Sequence, residues 1–271
     1  MNRAVLRRAF RDTRALLLAL TLVVLGFEVL FVFVIGELSG QLIAFWKQMP
    51  FVSKVLRALV GIDPGRDVSF ASMVAIGLIH PFLLAVLWTF LLVVCSRDTV
   101  GEIDRGTADL LLTLPVSRAA VYTSTTVVWI GAVAVLALAT WAGIWIGGRA
   151  FDSPEPVDAG RYLRPLISLV ALSAAIGCAT MCASSFLVRR GYAIAVVLAA
   201  LLLSFLLNFL AAFVPLLQPL CVLGVLYYYR PVDIVRDNAI PWRDVTVLLS
   251  SGAALWTIGL WRFCRRDIPA A

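Results

Sequence analysis

Long apolar stretches separated by short polar ones dominate the hydrophobic pattern of this chain. A helix needs about 20 mostly apolar residues to cross a bilayer, and six stretches meet that length. They lie at residues 15–35, 70–95, 121–146, 166–188, 192–214 and 245–261. They do not alternate polar with apolar positions as barrel strands do, and an open sheet cannot satisfy its backbone in lipid. The pattern predicts an all-α, polytopic membrane protein with six transmembrane helices, forming a single domain over residues 15–271.

The first fourteen residues predict a further short helix. Arg3, Arg7, Arg11 and Arg14 recur at helical spacing, and apolar residues such as Phe10 lie between them. A basic amphipathic segment of this kind lies at the membrane interface and leads into the first span. A positively charged tail that only sets the topology is the simpler alternative.

Two outer segments look interfacial. Residues 41–60 predict an amphipathic helix on the outer membrane surface, interrupted by Pro50. In residues 215–244 the prolines at 215 and 219 argue against a continuous span, so we expect a re-entrant or interfacial hairpin with the tyrosines at 227–229 at headgroup level.

Composition excludes a water-soluble protein. The chain is 62% hydrophobic and 14% charged, against about 45–50% and about 25% in soluble domains. The net charge of +7 is not a sign of nucleic-acid binding, because the basic residues fall mainly at the ends of apolar runs. Thirteen of the 23 Lys and Arg residues lie in segments 1–14, 96–120, 189–191 and 262–271. Their density predicts that both termini are cytoplasmic.

Three polar residues inside the spans are candidates for a transport pathway or an interface. Glu28 is the one acid well inside a span, where ionisable groups are expensive and often functional. Asn208 is a plausible hydrogen-bonding residue between helices. His80 precedes Pro81, so satisfying a proline kink explains it better than a catalytic role.

Cysteine usage gives no disulfide framework, since five cysteines are scattered over the chain. Cys178, Met181 and Cys182 share a helix face and could suit copper(I). Small residues surround them, and such residues favour close helix packing in lipid. We expect packing and no metal site.

The polar insert at residues 101–118 is the most specific feature. Thr99 and Glu102 have the spacing of a capping box. Thr107 can cap a second short helix that Pro115 ends, with leucines on one face and charges beside it. A short amphipathic helix tied to two spans is suited to docking a cytoplasmic partner and transmitting its motion.

The insert, read as G-E-x-x-x-G-T-x-x-L-L-L-T-L-P-V-S-R between the second and third of six spans, resembles the permease subunits of type-2 ABC exporters. The sub-group it resembles most contains the permease of the nitrous-oxide reductase maturation system. The basic N-terminal segment and the ending FCRRDIP are also similar to these permeases. The long first outer segment departs from the pattern and suggests a particular substrate or partner.

The resemblance implies that the insert is a coupling helix that docks on a separate cytoplasmic ABC ATPase. The matching positions are Glu102, Gly106, Thr107, Leu111, Leu112, Pro115, Ser117 and Arg118. The working unit would contain an ATPase dimer and a second permease, either an identical copy or a close paralogue, with a periplasmic partner in addition. ATP and Mg²⁺ would bind in the ATPase, and this chain would hold no cofactor.

The residues support this interpretation, because the chain has no Gly-rich phosphate loop followed by Lys-Ser or Lys-Thr. The chain itself is therefore not expected to be an enzyme. Two alternatives remain open: an intramembrane enzyme, and a membrane scaffold that holds a complex together without transporting anything.

Overall fold

The computed structural model describes residues 3–48, 55, 69–101, 104 and 117–266, and none of these is in a strand. The α-helices among them are α1 (Arg3–Gln48), α2 (Phe70–Ile79), α3 (Pro81–Ser96), α4 (Arg118–Ala150), α5 (Leu163–Phe186), α6 (Arg190–Ala211), α7 (Pro231–Asp237) and α8 (Trp242–Arg265). Six segments are long and apolar enough to cross a membrane, with α2 and α3 together forming the second. The predicted all-α, six-span architecture is confirmed.

Helix α1 joins the predicted N-terminal helix to the first span without a break. It contains 46 residues, which at 1.5 Å per residue gives a length of about 69 Å. This is more than twice the hydrocarbon thickness of about 30 Å, so α1 is too long to lie wholly within the apolar layer. The basic segment is helical, as predicted, but it continues the axis of the span. Most of the predicted outer helix at 41–60 lies outside the described residues.

The second span bends at His80, which separates α2 from α3. The Nδ1 atom of His80 accepts a hydrogen bond of 3.2 Å from the backbone N–H of Phe82. Pro81 occupies the first position of α3, where its missing N–H is not needed. The interpretation of His80 as a residue that satisfies a kink is confirmed.

Close approach at glycines pairs the first span with the third. A Cβ atom at Gly143 would lie 2.6 Å from the Cβ of Glu28, and one at Gly147 would lie 2.8 Å from the Cβ of Val32. The two glycines form a G-x-x-x-G pattern on α4, which lets helix backbones approach in lipid. Because residue order is the same along both helices, α1 and α4 run in the same direction.

The fourth and sixth spans form a second pair of the same kind. A Cβ at Gly252 of α8 would lie 3.2 Å from Cα of Ala175, and one at Gly259 would lie 2.9 Å from Cα of Cys182. Helix α5 is the central element, because 72% of its apolar window is buried, against 22% for α1, α6 and α8. Helices α1, α6 and α8 therefore carry most of the surface that faces lipid or a partner.

The segment after α6 forms short 3₁₀ helices at Pro215–Leu223 and Val225–Tyr228 and then α7. None of these is long enough to span, in agreement with the predicted hairpin. Tyr229 is buried within the protein, and its predicted depth at headgroup level stays a prediction. Its side chain is 2% exposed, and its hydroxyl donates a 2.8 Å hydrogen bond to the carbonyl of Leu78. A phenol buries its ring readily when its O–H finds an acceptor, and the bend in the second span supplies that carbonyl.

Candidate functional site

The polar insert is described at its two ends. Most of its predicted coupling residues, namely Glu102, Gly106, Thr107, Leu111, Leu112 and Pro115, lie outside the described residues. The coupling helix therefore stays a prediction. Ser117 and Arg118, and the turn that precedes the insert, are described.

The upstream end of the insert leaves α3 through a π-helical turn, Arg97–Gly101. Thr99 is buried inside this turn, and its hydroxyl donates a 3.1 Å hydrogen bond to the carbonyl of Cys95. The expectation that Thr99 caps a new helix is wrong, because the residue lies within a turn that continues α3 and acts as a donor. The second span thus extends helically to Gly101.

Two arginines fix this turn to neighbouring helices. Arg97 donates 2.9 Å from Nη1 to the carbonyl of Asp12, and from Nη2 to the carbonyl of Ala9 and the hydroxyl of Thr13. These acceptors all belong to the N-terminal turns of α1. Guanidinium groups present several donors in a fixed fork, so one side chain ties the end of α3 to α1.

Arg190, at the start of α6, makes the second link. Its Nε donates to the hydroxyl of Ser96 at 3.0 Å, and its Nη2 donates to the carbonyl of Val93 at 2.8 Å. Its backbone N–H lies 3.4 Å from a carboxylate oxygen of Asp104, a residue of the insert itself. The aliphatic part of the side chain also lies beside Gly101, where a Cβ would be 3.5 Å from Cδ.

The downstream end of the insert is fixed at the start of α4. The hydroxyl of Ser117 accepts a 3.2 Å hydrogen bond from the N–H of Ala120 and so caps the helix. The guanidinium of Arg118 donates to the carbonyl of Arg266, at the end of α8. Arg118 therefore anchors the start of α4 to the end of α8.

Arg266 extends the downstream network to α5. Its side chain is buried, and Nη1 donates to the carbonyl of Ser184 at 3.2 Å. Burial, and then repulsion from Arg262, lower the pKa of Arg266 from its ordinary value. The arginines at positions 97, 190, 118 and 266 together connect the two ends of the insert to α1, α3, α4, α5, α6 and α8. We call these four residues the arginine clamps.

Glu28, the first of the three candidates inside the spans, is fully buried between α1, α2 and α4. Neither carboxyl oxygen has a hydrogen-bond partner among the described residues. Gly77 and Gly143 make room for it, since a Cβ at Gly77 would lie 2.8 Å from Oε2. The ring of His80 lies beside that of Phe31, with ring centroids 5.7 Å apart.

Asn208 lies on α6, at a cavity of about 260 Å³ between α3, α6 and the hairpin. Trp88 and Tyr229 also line this cavity, and the indole N–H of Trp88 is buried without a partner among the described residues. The walls are otherwise apolar, which is typical of a ligand cavity with few polar groups. No described hydrogen bond joins any two of Glu28, His80 and Asn208, so the structure does not assemble them into one catalytic site.

The sulfur atoms of α5 pack as side chains between helices. The Sδ of Met181 accepts hydrogen bonds from Nε1 of Trp129 at 3.2 Å and from the hydroxyl of Thr126 at 3.5 Å. Burial of Cys178 and Cys182 accompanies the close approach of α8. These contacts support the packing interpretation of the three residues.

Comparison with known families decides the class of the protein. The family described as ABC-2 family transporter protein matches residues 48–208, which is more than half of the chain. The chain belongs to this family. It is a multi-pass membrane permease of an ABC transporter. Curated proteins give no match to it.

Permeases of the ABC-2 family are membrane transport components and generally work with an ATPase subunit and a second permease. The matched region begins near the end of α1 and ends in α6. It therefore includes the insert and three of its arginine clamps, Arg97, Arg118 and Arg190.

Sequence reasoning missed the clamps and the G-x-x-x-G contact in this permease. Arg97, Arg190 and Arg266 count only as markers of topology when each is considered alone. Their position directly at span ends is a signal, because a guanidinium there can reach neighbouring helix carbonyls. The spacing of Gly143 and Gly147 within an apolar segment is a second signal that was available.

Proposed function

We propose that this ABC-2 permease couples ATP hydrolysis by a separate cytoplasmic ATPase to export of a substrate, with the insert at 101–118 as the docking element. The observation that carries the proposal is the set of arginine clamps at the base of the insert. Movement of the insert cannot remain local, because Arg97, Arg190 and Arg118 tie its ends to several spans. Discrete rearrangement of packed helices is how such a displacement reaches a distant site.

The orientation follows from the same proposal. The insert and both termini lie on the cytoplasmic side, and the hairpin after α6 lies on the outer side. The ATPase dimer binds ATP and Mg²⁺, while two permeases, identical or closely related, form the membrane part. A bacterial inner membrane is the proposed location.

The cavity beside Asn208 is the proposed contribution of this chain to the pathway. It lies at α6, one of the helices whose apolar window is least buried, so a second permease can complete it. Arg190 begins the same helix. A movement of the insert base is thereby directed into a wall of the cavity.

Arg190→Gln tests the coupling step, with Arg189→Gln as the matched control. Both changes remove one positive charge at neighbouring positions, but the guanidinium of Arg189 lies over the ring of Tyr192 at 6.0 Å instead of holding α3. We expect Arg190→Gln to keep the ATPase bound and to lose the stimulation of ATP hydrolysis by the permease. The control should retain it.

Three results would overturn the proposal. One is failure of the wild-type permease to co-purify with any ATPase. Another is unaltered transport after charge reversal at Glu102 and Arg118. The third is normal function with an ATPase that cannot hydrolyse ATP, which would favour the scaffold. Catalytic turnover by the purified chain without an ATPase would favour an intramembrane enzyme.

The finer resemblance supports a proposal on the substrate. The insert motif and the ending FCRRDIP are similar to the nitrous-oxide reductase maturation sub-group, so we infer a cargo needed for assembly of a copper site. Genes for an ATPase and for periplasmic copper-assembly proteins next to this one would support it. Full copper content of nitrous-oxide reductase in a deletion strain would refute it.

A further inference from the structure

A groove of about 870 Å³ lies between the N-terminal turns of α1 and the adjacent side of α4. Its described lining contains none of the four arginine clamps and shares no residue with the cavity at Asn208. One wall carries Leu6, Phe10 and Leu17 of α1. The other carries Val127, Gly131 and Val135 of α4. Phe10 is 56% exposed and Val127 is 48% exposed, so the apolar walls are open to an occupant.

The mouth of the groove is strongly basic. Arg3, Arg7, Arg8 and Arg11 line it, and Asp12 is a neighbouring acid. Asp12 forms long ion pairs, 3.8 Å from Nε of Arg8 and 3.9 Å from Nε of Arg11. Arg3 and Arg7 have no acidic partner among the described residues and lie one helical turn apart. Arginine is the side chain best suited to bidentate binding of a phosphate group.

The two walls of the groove are comparable in length to one leaflet of a membrane. From Arg3 to Leu17 the helix rises about 21 Å, and from Val127 to Val135 about 12 Å. Half of the hydrocarbon layer is about 15 Å thick. A headgroup at Arg3 and Arg7 would thus place its acyl chain along Phe10 and Gly131.

A second copy of the permease is a poorer occupant of the same groove. Two identical surfaces related by a two-fold axis would bring the same arginines towards each other. Like charges that face each other across an interface oppose association. An anion with an apolar tail can pair its charge with the arginines at the mouth and place its tail against the apolar walls.

We propose that this groove binds one anionic phospholipid, with its phosphate on Arg3 and Arg7 and an acyl chain between Phe10 and Gly131. In the same turns of α1, the carbonyl of Ala9 and the hydroxyl of Thr13 accept hydrogen bonds from Arg97, and Thr13 also lines the groove. Lipid binding therefore orders the helix that one of the arginine clamps holds. The site is independent of the direction in which the permease moves its substrate.

The headgroup half is tested with Arg3→Gln/Arg7→Gln in the full-length permease. Its control, Arg262→Gln/Arg265→Gln, removes the same charge at the end of α8. Native mass spectrometry and thermal unfolding are recorded during titration with phosphatidylglycerol or phosphatidylcholine. We expect wild type and control to retain phosphatidylglycerol and to be stabilised by it. Each lost arginine should weaken binding about tenfold, the usual size for a charged hydrogen bond.

The acyl half is tested with Gly131→Phe, which leaves every arginine in place. No described atom lies within 4 Å of a Cβ at Gly131, so the new side chain starts in open space within the groove. Gly26→Phe is the control, because Gly26 is equally open but lies outside the groove. We expect Gly131→Phe to lose phosphatidylglycerol and Gly26→Phe to keep it.

Equal binding of the two lipids by wild type would overturn the proposal. Retention of phosphatidylglycerol by both groove variants would do the same. A permease dimer that Gly131→Phe dissociates, with no change in lipid binding, would show that the groove is a subunit interface instead.

Discussion

Gly77→Ala is expected to destabilise the permease through a clash with the side chain of Glu28. A double-mutant cycle with Glu28→Ala isolates the contribution of that clash. The added methyl group would lie 2.8 Å from Oε2 of Glu28 and 2.9 Å from Cδ1 of Phe31. Both contacts are with side-chain atoms, so neighbours can shift at some cost. Overpacking of this kind costs about 1–3 kcal/mol.

Gly143→Ala provides the matched comparison, because it also crowds Glu28 but in a different way. Its methyl group would lie 2.6 Å from the Cβ of Glu28 and 2.8 Å from the carbonyl oxygen of Leu25. Shortening Glu28 to alanine removes Oε2 and leaves Cβ in place. We therefore expect Glu28→Ala to reduce the destabilisation caused by Gly77→Ala by about 1 kcal/mol. It should reduce the destabilisation caused by Gly143→Ala by less than about 0.5 kcal/mol.

Unfolding of purified variants in one detergent, followed by circular dichroism, measures the two double-mutant cycles. A change of 1 kcal/mol corresponds to a shift in Tm of about 2–4 °C for soluble chains of nearly this size. Equal coupling energies in the two cycles would refute the packing described for Glu28. So would a coupling energy of zero between positions 28 and 77.

Three further predictions concern single contacts. His80→Ala should cost about 1 kcal/mol by removing the acceptor for Phe82 N–H, and His80→Asn should recover part of it, as measured by thermal unfolding. Met181→Leu should cost about 1–2 kcal/mol in the same assay, because the buried indole N–H of Trp129 loses its acceptor. The hydrogen bond from the preceding arginine lowers the pKa of Asp237 below its ordinary value of 3.8, so its stabilisation is complete above that pH and is lost as pH falls through the lowered value. Asp237→Asn should remove this dependence, which for an exposed pair amounts to about 0–1 kcal/mol.

The apolar runs predicted the spans because lipid imposes a length and leaves no other partner for the backbone. Several observed helices extend past their predicted runs, whereas α5 and α6 end earlier than predicted, at Phe186 and Ala211. Ser117 starts α4 before Val121 by capping it. The π-helical turn carries the second span on to Gly101 through the hydroxyl of Thr99.

Contacts between distant parts of the chain were not predictable from the pattern. The burial of Tyr229 depends on a free carbonyl at Leu78, more than 150 residues earlier. Arg97 and Arg190 lie at span ends, but the acceptors that they bind are identified only when α1, α3 and α6 are placed side by side. Glu28 could be recognised as unusual, but its glycine surroundings come from the register of three helices.

The candidate site divides in the same way. The motif at 101–118 predicted a docking element and, through its resemblance, the family that the comparison then showed. The arginine clamps, which connect the ends of this segment to neighbouring helices, are a property of the assembled fold. Their donors are arginines and their acceptors are mostly backbone carbonyls, which carry no sequence signature.

Photo-crosslinking to the ATPase from position 111 tests the central claim most directly. Benzoylphenylalanine replaces Leu111 in the insert, and in the control it replaces Glu155, an exposed residue between α4 and α5. With the ATPase co-expressed, we expect a permease–ATPase adduct from position 111 and none from position 155. An adduct from position 155, or none from position 111 in a complex that still co-purifies, would contradict it.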